Sequence, residues 1–379
     1  MRDIRYQIAI NRQPDNELSE QAAEIEVQQT IEGPTTFRIK FAIDICQGEF
    51  NLLDDERLNP GDPDTEATVT AYLNGESYVM AHGIITERKV SLAEGGAGSS
   101  LEIMCQDRRL VMDREERNEA HQGRASDIAK QILERYGFET DITDTEISYE
   151  EDTTTLNQSE TDLAFLDKLA GRNGSRFWID WEAEEGLTGF EITETAHFKP
   201  SPPQPAANPL GFTPPLVLAP DSAAELTLNS GSGCSNVASF ELQSNAETPN
   251  QSGPIERVDA DSGEVTETEA PEATTETLGE EAPAPAQART RRLVTAGNAQ
   301  EAQVRTQAAL NDASWSVQAT AETSVQALNA FVSPHQIVRV TGGGQLNSGD
   351  YFVKEVTHTV DSSAHKMRIG LLRNAVGGS

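Results

Sequence analysis

Between residues 36 and 45 the apolar side chains Phe37, Ile39, Phe41, Ile43 and Ile45 alternate with Thr36, Arg38, Lys40, Ala42 and Asp44. A period of two marks a strand with one buried face. Two further apolar runs, 67–73 and 78–85, flank Asn74-Gly75. An Asn-Gly pair supplies the two positive φ angles of a type I′ turn, so these runs are predicted to form a hairpin. A Gly- and Ser-rich turn at 95–100 leads into another apolar run at 101–105. Short strands with turn punctuation predict a small barrel or sandwich over the first hundred residues.

The period then changes. Ile128, Ala129, Ile132, Leu133 and Tyr136 share one helical face, with Ser126 placed to cap the helix and Gly137 to close it. A second amphipathic segment is predicted from near Ser159, with Asp162 at capping-box spacing, through Leu163, Leu166, Leu169 and Ala170. It stops at Gly171-Arg172-Asn173-Gly174, and Phe177-Trp178-Ile179-Asp180-Trp181 resumes as a strand. Residues 116–200 therefore read as an α+β unit. The Pro-rich stretch 199–220 reads as an extended connector, followed by short strands within 226–242. An Ala- and Gln-rich helix is predicted at 298–311, then strands at 336–341, 351–360 and 367–372. Gly342, Gly343 and Gly344 open the turn between the first two of these strands. The fold class is α+β, mainly β.

Length and charge constrain the chain further. Its 379 residues are enough for two or three domains with real cores. Lys plus Arg number 29 against 62 Asp plus Glu, a net charge of −33. That balance argues against sequence-specific nucleic-acid binding or an anionic membrane partner, which need clustered basic residues. Residues 258–288 hold nine acidic residues and no basic one, so removing them takes −33 to −24. With Thr, Ala, Pro and Ser making up most of the rest, this run is expected to be mobile. Only seven of the 29 basic residues are Lys. An acidic, Lys-poor surface fits a high-salt cytoplasm, and equally an acidic channel that lets DNA or acidic cargo slide. No apolar run has the roughly 18–20 residues of a membrane span, and the N-terminus lacks the apolar core of a signal peptide. Cys46, Cys105 and Cys234 are odd in number and widely spaced, which disfavours a disulfide framework or a metal knuckle. Synthesis in a reducing compartment is expected, or release from the cell by lysis or assembly.

Candidate chemistry is sparse. His358 and His365 straddle a turn without an acidic or Cys partner at fixed spacing, and His358 alternates with Val356 and Val360. It is expected on a solvent or interface face of a strand. His82, His121, His197 and His335 are isolated in sequence and expected to be structural. There is no G-x-S-x-G or H-E-x-x-H motif. Gly342-Gly343-Gly344 lacks the following Lys of a phosphate loop and opens no helix. Glu182, Glu184 and Glu185, beside Trp178 and Trp181, are the least poor candidates for a carboxylate pair that cleaves peptidoglycan, though a solvated turn explains them more simply. No catalytic, cofactor-binding or metal residues are assigned, and no cofactor is expected.

Two blocks carry a family resemblance. Gln158, Ser159, Thr161, Asp162, Phe165, Leu166, Leu169 and Ala170, followed by Gly174 and Phe177, resemble the QS-x-TD-x-x-FL-x-x-LA…G-x-x-F signature of the phage late control protein D family. Those proteins are tail baseplate hubs related to the N-terminal part of VgrG. Gly349, Tyr351, Val353 and His358, with Leu371-Leu372-Arg373-Asn374 as the last strand, resemble the family's ending. The resemblance implies a homotrimeric symmetry adaptor joining the sixfold inner tail tube to a threefold spike. It implies two barrel-like tube domains, at 1–115 and 201–379, around a small α+β domain at 116–200; the acidic insertion, expected to be disordered at about 245–292, departs from the family pattern. The chain ends just after the hub's last strand, so the spike is expected to be a separate protein. Wedge and tape-measure proteins are further candidate partners. The expected location is a virion tail baseplate or an injection particle assembled in the cytoplasm; phage and contractile injection system stay open, and a peptidoglycan-degrading tail-tip enzyme is the alternative.

Overall fold

A computed structural model describes residues 4–43, 51–61, 63–94, 96, 98–149, 156–186, 189–202, 224–228, 235–244, 251–252, 255–258, 265–268, 274–281, 290–291, 294–295 and 299–377. Seven strands arise from the first hundred residues: β1 (Arg5–Ile10), β2 (Gln13–Asp15), β3 (Ala22–Thr30), β4 (Thr36–Ile43), β5 (Glu66–Leu73), β6 (Glu76–Ser91) and β7 (Ser99–Gln106). The alternation predicted for β4 holds, with Phe37, Ile39, Phe41 and Ile43 buried beside Ile8, Val27, Val69 and Ile103 in a first core. Asn74 and Gly75 have φ of 55° and 92°, and Leu73 pairs with Glu76, so the predicted hairpin forms. Ile45 and Cys46 lie outside the described residues.

The α+β unit holds α1 (Ala125–Arg135), α2 (Asp162–Arg172), β8 (Arg176–Gly186) and β9 (Gly189–Lys199). β9 pairs antiparallel with β8 and parallel with Glu139–Ile142. Ile128, Ile132, Leu133, Phe165, Leu166, Leu169, Phe177 and Phe198 form a second core, the helical faces read from the sequence. Both predicted caps move by a few residues. Arg124, not Ser126, is the N-cap of α1; Ser126 instead exchanges hydrogen bonds with Thr145. Thr161 caps α2, its hydroxyl accepting from the Ala164 amide at 3.3 Å, while Asp162 turns inward.

The C-terminal part contains β10 (Glu225–Thr227), β11 (Val237–Ser244), α3 (Ala299–Ala313), β12 (Val317–Ser324), β13 (Ile337–Thr341), β14 (Gly349–Asp361) and β15 (His365–Arg373). A third core collects Leu226, Ala321, Val338, Val340, Tyr351, Val356 and Ile369. One sheet runs through both β cores in the order β11-β12-β15-β14-β3-β4-β7-β6-β5-β1-β2, with β13 on β14 and β10 on β13. The seam is the antiparallel pairing of β3 with β14, Val27 opposite His358 and Ile25 opposite Val360.

Parts of the acidic run expected to be mobile are ordered. Ile255–Val258 pairs with Val265–Thr268 and Val294–Thr295. Leu278 is 7% exposed and packs with Ile31, Trp315, Phe352 and Leu372, so one leucine anchors a stretch expected to have almost nothing to bury. Residues 259–264, 269–273 and 282–289 lie outside the described residues, as do 203–223 of the connector and Cys234. Cys105 is a buried free thiol.

Candidate functional site

The first sequence block folds into a buried polar network. Gln158 and Asp162 are both 0% exposed. Gln158 Nε2 donates to Asp162 Oδ1 at 2.7 Å, and its Oε1 lies 2.8 Å from His121 Nε2. Tyr136 Oη donates to Asp162 Oδ2 at 2.8 Å, and Arg117 Nε lies 3.2 Å from the same oxygen. His121 stacks on Phe165 at 4.8 Å. The α1 and α2 helices and the Leu156–Gln158 strand are thus locked through one carboxylate. The arrangement pairs the buried Gln158 and Asp162 side chains with protein partners, the pattern of a structural network.

The second block closes the C-terminal sheet around Arg373, which is 1% exposed. Its guanidinium donates to the carbonyls of Leu278, Leu346 and Gly377 at 3.1, 3.2 and 2.6 Å and lies 5.0 Å from the centre of the Tyr351 ring. Gly349, at φ 135°, leaves the room that the guanidinium occupies; a Cβ there would sit 2.4 Å from Arg373 Nη2. Asn374 holds the same stretch of the acidic run, accepting from the Leu278 amide at 2.9 Å and donating to the Glu276 carbonyl at 2.9 Å. Sequence reasoning missed Leu278 and Arg373 as a pair because 95 residues separate them.

The histidines regroup. His358 is fully buried, not on a solvent or interface face, because β14 turns Val356, His358 and Val360 together into the protein between β3 and β15. Its Nδ1 lies 2.9 Å from His365 Nε2, and His365 Nδ1 lies 2.8 Å from Tyr6 Oη. Burial lowers the pKa of His358 to about 4 and that of His365 to about 2. His197 and His335, isolated in sequence, both stack on Trp178, at 4.8 and 3.8 Å. His82 is buried in the first core, its Nδ1 2.8 Å from Thr68 Oγ1. A cavity of about 340 Å³ beside Trp178 touches all three units, lined by Gln29, Tyr78, Arg109, Trp178, Ser333 and His335 among others.

Glu182 and Glu184 stand exposed on β8, opposite Thr193 and Glu191, without the apolar cleft an acid catalyst needs; the side chain of Glu185 lies outside the described residues. Gly342 and Gly344, at φ 80° and 82°, form the turn between β13 and β14. Among the described residues no three His, Cys, Asp or Glu are grouped to hold a metal, and no helix is long and apolar enough to cross a membrane.

Residues 30–364 match the family described as phage tail baseplate hub (GPD). The chain belongs to that family. The hub fold recurs in a tail protein from Neisseria meningitidis MC58, at 11% identity and TM-score 0.64, with 99% of this chain and 98% of that one covered. The 43 kDa tail protein of prophage MuSo2 from Shewanella oneidensis is similar at 12% identity and TM-score 0.64, covering 99% and 100%. The Escherichia coli c3393 protein, described as a type VI secretion component similar to the T4 tail proteins gp27 and gp5, matches at 12% identity and TM-score 0.53, covering 98% and 76%. No curated protein matches the sequence significantly. The hub chain is thus mainly β, with the architecture of tail and VgrG-related proteins.

Proposed function

We propose that this hub is a non-enzymatic symmetry adaptor, a homotrimer that meets the sixfold inner tail tube on one side and a spike protein on the other. The supporting observation is the sheet that passes uninterrupted through two separate β cores at the β3–β14 seam. Two similar β units per protomer give six wall segments in a trimer, so a threefold particle presents a near-sixfold rim. We assign 1–115 and 201–379 to the two tube domains and 116–200 to the α+β domain between them in sequence. β11, at one end of the sheet among the described residues and largely exposed, offers an edge for pairing with another chain. The working location is a tail baseplate or an injection particle.

Mass measurement of the purified full chain, followed by electron microscopy, tests the adaptor. A trimer with a central opening is expected; a strict monomer with no ring at high protein concentration refutes it. The competing enzyme is tested on purified peptidoglycan with the Glu182→Gln/Glu184→Gln double variant. No release above background is expected from either form, and hydrolysis lost with the two carboxylates would overturn the non-enzymatic reading.

A further inference from the structure

Residues 329–336 touch all three units at once. Asn329 Oδ1 accepts from Asn74 Nδ2 at 3.2 Å, at the tip of the β5–β6 hairpin. Phe331 stacks on Tyr78 with ring centres 4.6 Å apart, and the Tyr78 and Ser333 hydroxyls are 2.6 Å apart. These contacts bind the segment to the first core. Val332 is fully buried in the third core, and the His335 amide donates to the Val353 carbonyl at 3.1 Å. His335 then reaches the α+β unit, stacked 3.8 Å from Trp178 with its Nδ1 2.7 Å from Ser201 Oγ. Asn329 and His335 hold left-handed φ angles of 57° and 67°. L side chains keep that backbone only where surrounding contacts over-determine it.

Burial disfavours the charged form of three imidazoles at this segment, His335, His358 and His365. Facing His335 are Ser201 from the connector, Asp180 and Arg176 from β8, His197 from β9 and Arg109 beyond β7. The Asp180 carboxylate favours a charged His335, but burial outweighs it and lowers the pKa to about 3. His335 Nε2 is shut off from solvent and has no hydrogen-bond partner among the described residues. Facing His358 and His365 are Tyr6 from β1, the Phe331 ring and the Val332 carbonyl. The Asp361 carboxylate, at the end of β14, is engaged by Ser363, Ala364 and Lys366. A proton on His358 or His365 puts a charge among apolar and neutral groups under the segment that joins the three units, and one on His335 must share the Asp180 carboxylate with His197.

We propose that residues 329–336 form a proton-operated latch: neutral His335, His358 and His365 hold the three units in one arrangement, and protonation undocks the segment while each core stays folded. The sign follows from linkage. Each of these histidines has a lower pKa docked than its ordinary 6.5, so the undocked form binds protons first. Latching is complete above pH 6.5 and weakens as the pH falls toward the docked values.

Hydrogen exchange on the full chain tests this, read as protection factors corrected for the intrinsic rate. Protection of 329–336 is expected to fall about tenfold per pH unit for each proton taken up between pH 6.5 and 4.5, with 36–43, 125–135 and 317–324 unchanged. His335→Phe keeps an aromatic ring on Trp178, and His358→Gln keeps a neutral hydrogen-bonding group; each is expected to flatten the slope. Constant protection of 329–336 in the wild type refutes the latch. So does simultaneous loss in the segment and the three reference stretches, or a wild-type slope in both variants. Should a variant fail to fold at pH 7, the local-versus-core contrast in the wild type decides alone.

Discussion

Asp162→Ala is the sharpest test of why the first sequence block has its residues. The change removes the acceptor used by Gln158 Nε2 at 2.7 Å and Tyr136 Oη at 2.8 Å, together with the counter-charge 3.2 Å from Arg117. Gln158 and Asp162 are 0% exposed, so water does not take over as acceptor without opening the unit. A buried donor left unpaired costs about 1–3 kcal/mol, and breaking a buried ion pair about 3–5 kcal/mol. Arg117 is 30% exposed and can turn toward water, which places the total at the lower end, about 3 kcal/mol. Asp162→Asn preserves shape and one acceptor oxygen, and the Tyr136 hydroxyl can reverse to accept from the new amide. Its cost is expected at about 1–2 kcal/mol. Denaturant unfolding followed by Trp178 and Trp181 fluorescence reports on the α+β unit, in a Trp315→Phe background that silences the tryptophan packed against Phe352 and Leu278. A midpoint shift at constant slope measures the loss. An Asp162→Ala variant within about 1 kcal/mol of its parent would refute the reasoning, as would an Asn variant damaged as much as the Ala one.

Gly349→Ala is expected to expel the Arg373 guanidinium, since the new Cβ would meet Nη2 at 2.4 Å and the φ of 135° is hostile to an L side chain. A loss of at least about 2 kcal/mol should follow, with faster thermolysin cleavage beside Leu278; unchanged proteolysis would show that Arg373 does not hold the acidic run. His82 acts within the first core, where burial lowers its pKa to about 4. The unfolded chain takes up the proton first, so this contribution is whole above pH 6.5 and lost as the pH falls toward 4. It amounts to about 3 kcal/mol. Unfolding free energies at pH 7, 6 and 5 for wild type and His82→Asn check it, the variant showing the weaker pH dependence.

Local periodicity carried most of the fold. The β4 alternation, the Asn74-Gly75 hairpin and the two helical faces depend on neighbours within a turn or a strand, where side-chain direction follows spacing. The capping residues slipped because a cap depends on what approaches the helix end. Thr145 draws Ser126 into another bond, and Arg117 with Tyr136 draws Asp162 inward. His358 was misplaced for a related reason: alternation fixes which residues share a face, but not which face is buried. Its burial follows from β3, more than 300 residues earlier in the chain, lying alongside. Leu278 shows the limit of composition. A single leucine among acidic and small residues has a place because Arg373 and Asn374 present three partners for the backbone around it.

The same register bears on the charge. Across the outward face of the sheet, Glu322 stands opposite Arg368, Glu26 opposite Arg38, and Glu102 opposite both Lys40 and Lys89. Arg38 lies 2.9 Å from Glu26 and also contacts Glu24, and its hydrogen bond lowers the Glu26 pKa. Glu102 is within 3.7 to 3.9 Å of Arg38, Lys40 and Lys89. Such half-exposed pairs each contribute only about 0–1 kcal/mol, so their consequence lies in the field more than in stability. The same face also carries Glu24 opposite Asp361, and Glu87, Glu241 and Glu355, so the surface that bridges both β cores pairs part of its charge and still keeps an excess of carboxylates. If that face lines the proposed ring, its channel keeps a negative field that repels anionic cargo. The remaining surface is acidic as well, and high salt would screen its self-repulsion. The two readings of the acidity part on one measurement: high-salt adaptation predicts that the denaturant midpoint of the full chain rises with salt, and a constant midpoint would leave repulsion within the channel as the use of the charge.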